Sequence, residues 1–113
     1  MSAITTHVLD TARGLPARGL PVRLEMLSGK GRWRTLARGV TDANGRIVDL
    51  LPEGPAKRGH YRLTFDTAAY FRSRKAPSFF PAVSVFFDVR EPAQHYHVPL
   101  LLSPFGYSTY RGT

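Results

Sequence analysis

Hydrophobic and polar residues alternate along several stretches of the chain. Residues 22–26, 61–65 and 83–89 each place apolar side chains at every second position, with charged, hydroxyl or other side chains between them. A period of two puts the apolar side chains on one face of an extended strand. Each of these stretches therefore predicts a half-buried β-strand.

Turn-forming residues separate these strands at short intervals. Gly, Pro, Asn and Asp cluster at residues 14–16, 28–31, 42–45 and 52–55. Only residues 67–72 have the composition of a helix, and the segment is too short for more than two turns. Short strands at this spacing are typical of an antiparallel β-sandwich. Without repeats or a linker, the 113 residues are expected to form one domain, residues 1–113.

The stretch from Gln94 to Leu102 is apolar on both faces. On one face lie the side chains of Tyr96, Val98, Leu100 and Leu102, and on the other lie those of His95, His97, Pro99 and Leu101. A lone sandwich exposes one face of each sheet to water, so the second apolar face needs a cover. Two explanations remain open: a second subunit packs there, or loops of the same chain do.

Charge widens the range of possible partners. The chain has 16 Lys and Arg against 8 Asp and Glu, a formal net charge of +8. This charge suits an anionic small molecule, an anionic lipid surface or a nucleic acid. The basic residues are scattered and form no nucleic-acid motif, which favours a solvated positive surface. We therefore expect neither nucleic acid nor membrane as a partner.

The chain contains no cysteine, which excludes several kinds of site. Without a thiol there is no disulfide, no cysteine nucleophile and no cysteine-ligated metal. The first six residues do not resemble a secretion signal, and no stretch reaches the ~20 apolar residues of a membrane span. We expect a soluble, cytoplasmic protein that draws its stability from packing or from partner subunits.

Histidine is the residue most able to exchange protons near neutral pH, and the chain has four. His60 follows a glycine in a turn and is expected to be exposed. His7 lies in the apolar strand of residues 4–9, where the pattern alone favours a core or edge histidine. His95 and His97 share a strand face and have a spacing that zinc sites use, with His7 as a third ligand. No acid close in sequence except Glu91 could support such a metal, so a zinc site is the weaker alternative.

Two further features suggest chemistry without a metal. Arg46 follows the tight-turn sequence Asp-Ala-Asn-Gly and stands at the mouth of a strand. Such an arginine is usually a surface charge, but in a dry pocket it binds a carbonyl or a developing oxyanion. The C-terminal segment, residues 107–113, is rich in hydroxyls and aromatics, whereas most termini are frayed.

Taken together, these residues resemble the transthyretin-like family, and in particular its branch of 5-hydroxyisourate hydrolases. The similarity runs from the segment Ile4-Thr5-Thr6-His7-Val8-Leu9-Asp10 through Thr41-Asp42-Ala43-Asn44-Gly45-Arg46 to the C-terminal block. That block begins His95-Tyr96-His97-Val98-Pro99-Leu100-Leu101 and ends Tyr110-Arg111-Gly112-Thr113. Two departures are small: Thr113 stands where the family usually has Ser, and Phe105 where it often has Tyr.

The resemblance implies an all-β, eight-stranded antiparallel sandwich of the transthyretin-like type with one short helix. It also implies a homotetramer, a dimer of dimers, with active sites between the dimers and no cofactor or metal. The residues that it assigns to the site are His7, Arg46, His97, Tyr110, Arg111, Gly112 and Thr113.

The implied reaction opens the six-membered ring of 5-hydroxyisourate, a purine-derived small molecule, by hydrolysing an amide-like C–N bond. The product is 2-oxo-4-hydroxy-4-carboxy-5-ureidoimidazoline, on the route from urate to allantoin. His97 is the expected base and His7 its partner in proton transfer, with Arg46 on a substrate carbonyl. His7 and Arg46 are expected both to bind the substrate and to act in catalysis, and the tail from Tyr110 shapes the pocket.

Two other functions fit parts of the sequence. A non-catalytic carrier of the same family would bind an aromatic ligand between subunits, and the combination of His7, Arg46, His97 and Tyr110 argues against it. A basic nucleic-acid-binding module rests on charge alone and predicts steeply salt-sensitive binding.

Overall fold

The computed structural model describes residues 1–113, which form nine strands and one helix. The elements are β1 (Ile4–Asp10), β2 (Leu15–Pro16), β3 (Pro21–Leu27), β4 (Trp33–Val40), β5 (Arg46–Ile47), β6 (Gly59–Phe65), α1 (Thr67–Ser73), β7 (Val83–Val89), β8 (Tyr96–Ser103) and β9 (Gly106–Thr109).

The strands form two sheets packed face to face. The first sheet has the order β2-β1-β8-β9, with β5 also paired to β1, and the second has the order β4-β3-β6-β7. The predicted β-sandwich with one short helix is confirmed. Nine strands are present rather than eight, and two of them, β2 and β5, are only two residues long.

Strand direction differs from the expected all-antiparallel arrangement at one pair. β1 and β8 run parallel, in a register that places Ile4 beside Tyr96 and Asp10 beside Leu102. Alternation of apolar residues determines which face a side chain occupies but carries no information about strand direction. This pairing joins the two ends of the sequence in the middle of the first sheet.

The core lies between the sheets and follows the predicted alternation. Tyr61, Leu63 and Phe65 are at most 1% exposed, and a single cluster of 20 buried hydrophobic residues joins both sheets. Glu25, which the alternation places on the outer face, is an exception because its side chain is only 8% exposed. Arg23 and Arg62 both form ion pairs with its carboxylate, at 3.3 and 3.0 Å.

The predicted helix is confirmed as α1. The carboxylate of Asp66 accepts a hydrogen bond from the backbone N–H of Ala69 at 3.0 Å and so caps its first turn. Tyr70 is buried and donates from its hydroxyl to the carboxylate of Asp10 at 2.8 Å, which ties the helix to β1. At seven residues, α1 falls far short of the length needed to cross a membrane, and it is the only α-helix.

Candidate active site

Three of the predicted site residues, His7, Arg46 and His97, lie on the outer face of the first sheet. In the register of β1 with β5, His7 lies directly beside Arg46. In the register of β1 with β8, His7 lies beside Pro99 and Thr5 lies beside His97. Paired residues project on the same side of a sheet, so the two histidines and the arginine share one face.

A tight turn at residues 42–45 places Arg46 beside His7. The carboxylate of Asp42 accepts hydrogen bonds from the backbone N–H groups of Asn44 at 2.8 Å and Arg46 at 3.0 Å. The tight turn predicted at residues 42–45 is therefore present. It places the first residue of β5 against β1 without a long loop.

Gly45 allows this turn to approach β1 closely. Its φ is +75°, a conformation that favours glycine, and a Cβ at this position would lie 2.4 Å from the carbonyl oxygen of Val8. That oxygen belongs to backbone and cannot move aside. The carbonyl of Gly45 in turn accepts a hydrogen bond from the N–H of Val8 at 2.7 Å. A side chain here would push Arg46 away from His7.

The electrostatics of this face keep both histidines neutral. Burial and the positive charge of Arg46 lower the pKa of His7, while the backbone of Asn44 and the carboxylate of Asp42 act in the opposite direction. Burial lowers the pKa of His97 as well, and Arg46, His7 and His95 add to the effect. Neutral imidazoles near neutral pH can accept a proton, which a general base must do.

Arg46 is exposed, and its guanidinium forms no ion pair or hydrogen bond within the chain. Its five N–H donors are therefore available to a ligand. A cation beside two neutral bases can bind a carbonyl oxygen and stabilise the negative charge that develops there during attack by water.

The tail after β9 crosses over His97. The N–H of Gly112 donates to the carbonyl of His97 at 2.8 Å. A Cβ at Gly112 would lie 2.5 Å from Cδ2 of His97 and 3.2 Å from Cγ of Pro99, so only a glycine fits. Pro99, expected to face outward, is buried. The tail thus covers part of the second apolar face of β8, while Leu101 on the same face stays half-buried.

The other tail residues form no hydrogen bond with the side chain of His7 or His97 within a single chain. Arg111 donates to the side chain of Gln94 at 3.1 Å, and its guanidinium lies 4.6 Å from the centre of the Tyr96 ring. Tyr110 is 58% exposed, and Thr113 is exposed as well. A cavity of about 160 Å³ at the edge of the sandwich is lined by Tyr110, Arg111, Tyr96 and His97, among others. The structure therefore brings His7, Arg46, His97 and Gly112 together, and the roles of Tyr110, Arg111 and Thr113 stay predictions.

The zinc alternative lacks a third ligand. No group of three or more His, Cys, Asp or Glu side chains is arranged to hold a metal ion. His95 and His97 instead direct Nε2 and Nδ1, respectively, towards the hydroxyl of Thr5. One ring nitrogen of each histidine is thus engaged by a protein group.

Sequence reasoning missed two residues that shape this face. Thr5 contacts both His95 and His97, and Asp42 holds the turn and offsets part of the lowering of the pKa of His7. Thr5 had a detectable signal, because it lies two residues before His7 and period-two alternation puts it on the same face. Asp42 was noted as a turn residue, but its proximity to His7 depends on a strand pairing that the sequence does not reveal.

Comparison with known proteins places this geometry in a family. Residues 4–112 match the model of the HIUase/Transthyretin family. A 5-hydroxyisourate hydrolase of Mus musculus is 48% identical over 113 residues, covering 99% of this chain and 96% of the relative.

Two solved structures share the fold over nearly their whole length. The 5-hydroxyisourate hydrolase of Klebsiella pneumoniae matches with a TM-score of 0.83 and 38% identity, covering 97% of this chain and 98% of that one. Sea bream transthyretin in complex with thyroxine matches with a TM-score of 0.92 and 36% identity, covering 98% and 95%. The matched family model and the full-length similarity agree with the expectation from the sequence, and the chain belongs to the HIUase/Transthyretin family.

Proposed function

We propose that this protein hydrolyses 5-hydroxyisourate at the outer face of its first sheet, with His7, Arg46 and His97 as the catalytic residues. The product is 2-oxo-4-hydroxy-4-carboxy-5-ureidoimidazoline, an intermediate of urate degradation towards allantoin. One observation carries the proposal: a guanidinium without a partner in the chain lies beside two histidines whose pKa values are lowered. Relatives named as 5-hydroxyisourate hydrolases match 97–99% of the chain and support the choice of substrate.

Each group has a role that follows from its chemistry. His97, neutral and with no partner on Nε2 within the chain, takes a proton from water as the water oxygen attacks the amide carbon. Arg46 binds the carbonyl oxygen and stabilises the negative charge that it gains. His7 orients the water or passes the proton to the departing nitrogen. Overall, a C–O bond and an N–H bond form, while the C–N bond and one O–H bond of the water break.

The positive net charge of the chain supports capture of an anionic substrate. With a formal charge of +8, the protein attracts anions over distances comparable to the Debye length, about 8–10 Å at moderate salt. A purine derivative that has lost a proton is such an anion. The proposed reaction requires no cofactor.

A carrier function is the competing proposal, because the fold also matches a transthyretin solved with thyroxine. The fold does not separate the two functions, since both kinds of protein share it. The side chains favour catalysis. A carrier has no need of neutral histidines and a free guanidinium on one face, whereas hydrolysis needs all three.

The deciding experiment generates 5-hydroxyisourate from urate and follows its ultraviolet absorbance with and without micromolar protein. Hydrolase activity predicts a decay much faster than the spontaneous reaction, while urate alone stays unchanged. Addition of a chelator should not alter the rate. A decay no faster than the spontaneous one would favour the carrier, and a chelator-sensitive rate would restore the zinc alternative.

A homotetramer, built as a dimer of dimers, completes the proposal. His97 and Leu101 are half-buried on a face that the tail covers only in part, and a second copy of this face would bury them further. Tyr110, Arg111 and Thr113, which form no hydrogen bond with His7 in one chain, then shape the pocket where two copies meet.

Leu101→Glu tests this assembly. Burying a carboxylate at a subunit contact costs enough free energy to separate the subunits, so we expect loss of the tetramer and of hydrolysis together. Sedimentation velocity and the absorbance assay measure the two effects. An intact and active tetramer would place the site elsewhere. Phe105→Glu, at a side chain 69% exposed in the β8–β9 turn, is the matched control.

A further inference from the structure

The hydroxyl of Thr5 connects two imidazole rings. Thr5 is 2% exposed, and its Oγ1 lies 2.8 Å from Nδ1 of His97 and 3.1 Å from Nε2 of His95. The two rings are nearly parallel, with an angle of 13° between their planes and 6.4 Å between their centres. The hydroxyl therefore lies within hydrogen-bonding distance of both histidines.

Other threonine hydroxyls in the interior have a different partner. Those of Thr6, Thr41 and Thr67 donate to backbone carbonyls at 2.5 to 2.6 Å, which satisfies the polar group and holds the local backbone. Thr5 has no such carbonyl partner, and both of its contacts are histidine nitrogens. Its contacts are thus directed to titratable side chains rather than to the fold.

A hydroxyl has a single proton, so Thr5 can donate to only one of the two rings and must accept from the other. If His97 donates from Nδ1 and Thr5 donates to His95, the Nε2 of His97 is left without a proton. With the opposite direction, His95 donates to Thr5, Thr5 donates to His97, and Nε2 of His97 carries the proton. The direction of the two bonds therefore sets which tautomer His97 adopts.

The ring of His97 is held on its other edge as well. Gly112 approaches Cδ2 so closely that a Cβ would lie 2.5 Å from it. Thr5 on the Nδ1 side and Gly112 on the Cδ2 side therefore restrict rotation of the ring. Nε2, at the end of the ring away from the backbone, is the nitrogen left for a substrate or water.

We propose that Thr5 and His95 are positioning residues that hold the proton of neutral His97 on Nδ1 and leave the Nε2 lone pair free to act as the base. The inference rests on the proposed function of His97. Thr5 accepts the Nδ1–H bond and donates its own proton to Nε2 of His95. When His97 gains a proton on Nε2, the Nδ1–H bond to Thr5 strengthens and stabilises the imidazolium.

Two substitutions at Thr5 separate the hydroxyl from the shape of the side chain. Thr5→Val keeps the volume and removes the hydroxyl, and we expect kcat to fall by about 10- to 100-fold with KM nearly unchanged. Thr5→Ser keeps the hydroxyl and should restore most of the rate. Thr64→Val is the control: Thr64 bonds to Ser84 on the second sheet, and its loss should leave kcat unchanged.

A substitution of His95 tests the same hydrogen-bond chain from His97 through Thr5 to His95. His95 is exposed, so its replacement does not threaten folding. In His95→Ala, Thr5 no longer has an imidazole to receive its proton, so it can donate to Nδ1 of His97 instead. We expect a loss of kcat of about 10-fold, again with little change in KM. Wild-type kcat in both His95→Ala and Thr5→Val would overturn the proposal.

Nitrogen-15 NMR of the histidine rings provides a readout that needs no substrate. At neutral pH, His97 in the wild type should carry its proton on Nδ1, and Thr5→Val should shift the population towards Nε2. Comparison with the spectrum of His97→Asn assigns the signal. A wild-type His97 protonated on Nε2 would overturn the proposal even if the enzyme is active. If hydrolysis itself is not observed, the tautomer still reports whether Thr5 and His95 control His97.

Discussion

The outer faces of both sheets carry arginine and histidine, but the two faces differ in whether these side chains have charged partners. On the second sheet, Glu25 accepts two hydrogen bonds from Arg62, at 3.0 and 3.1 Å, and His60 pairs with Asp88. The guanidinium of Arg62 also lies 4.1 Å from the centre of the Trp33 ring. On the first sheet, Arg46 has no ion-pair partner.

The pKa values follow this difference. Hydrogen bonds from Arg62 lower the pKa of Glu25 despite its burial, and the hydrogen bond with His60 lowers that of Asp88, so these carboxylates stay charged and compensate their neighbours. On the first sheet, burial and then Arg46 lower the pKa of His7 and His97. Histidine and arginine alone therefore do not mark a site. The distinguishing feature is a cation without an ion-pair partner beside two histidines whose pKa is lowered by burial and, to a lesser extent, by that cation.

Residues 110–113 cross the outer face of the first sheet and not that of the second, so we expect their removal to have the largest effect on activity. Deletion of residues 110–113 removes the contact of Gly112 with His97 and the groups that we assign to the pocket, and we expect hydrolysis to be abolished. β9 ends at Thr109, so the fold and the assembly should persist in circular dichroism and sedimentation. Thr113→Ser, which keeps the hydroxyl, should be close to neutral. A truncated protein with the wild-type rate would remove the tail from the site.

Arg46→Ala compares a free guanidinium with a paired one. We expect a fall in kcat of about 100- to 1000-fold, the usual loss when an oxyanion-stabilising group is removed. The matched variant Arg62→Ala breaks the contacts with Glu25 and Trp33, and it should lower stability without changing the rate. Steady-state kinetics of both variants provide the test. A change confined to KM in Arg46→Ala would reduce its role to substrate binding.

His97→Asn and His7→Asn should each lower kcat by at least about 100-fold, because asparagine cannot transfer a proton. His60→Asn, on the second sheet, should have the wild-type rate. If all three variants retain activity, the contrast between the two faces has no catalytic meaning.

The pH profile of the wild type sharpens the same prediction. The base must be neutral, and its pKa lies below the ordinary value of about 6.5, so kcat should stay constant as pH falls past that value and decline only at lower pH. Around His97 the charged or titratable groups are Arg46, His7 and His95, with Asp42 acting on His7. Arg46→Ala should move the acidic decline to higher pH. A decline centred above 6.5 in the wild type would contradict this assignment.

Glu25→Gln is expected to have the smallest effect and to act on stability alone. At neutral pH it should lower the free energy of unfolding by about 1 kcal/mol, since the partly exposed arginines limit the strength of the pair. The folded-state pKa of Glu25 is lowered, so the contribution of its carboxylate is present above the ordinary value of about 4.3. It is lost as pH falls through the folded-state pKa. Urea titrations of both proteins along this pH range should converge at the acidic end.

The alternation of apolar and polar residues predicted the strands well, because every second side chain of a strand in a sandwich faces the core. Tyr61, Leu63 and Phe65 point inward as expected. The same rule failed for Glu25, because two arginines from neighbouring positions compensate a buried carboxylate and hydropathy does not record such partners.

The site was only partly predictable for a related reason. His7, Arg46 and His97 were identified from their residue types and from the family resemblance, whereas Thr5 acquires its contacts only through the pairing of β1 with β8. Partners almost a whole chain length apart leave no local pattern. The position of Arg111 beside Gln94 and Tyr96 was equally invisible, because it depends on how the tail crosses the strand.

The parallel pairing of β1 with β8 has a consequence for synthesis. β1 is translated first and pairs on one edge with β2 and β5, but its neighbour on the other edge, β8, begins only at Tyr96, so that edge stays unpaired until most of the chain is made. At about 5–20 residues per second, this interval is on the order of 5–20 seconds. During that time the edge of β1 that faces β8 is unpaired on the nascent chain and open to chaperones or to mispairing. Thr5 and His97 can meet only when translation is almost complete, so a ribosome that stalls before Tyr96 leaves a chain with no proton-transfer site.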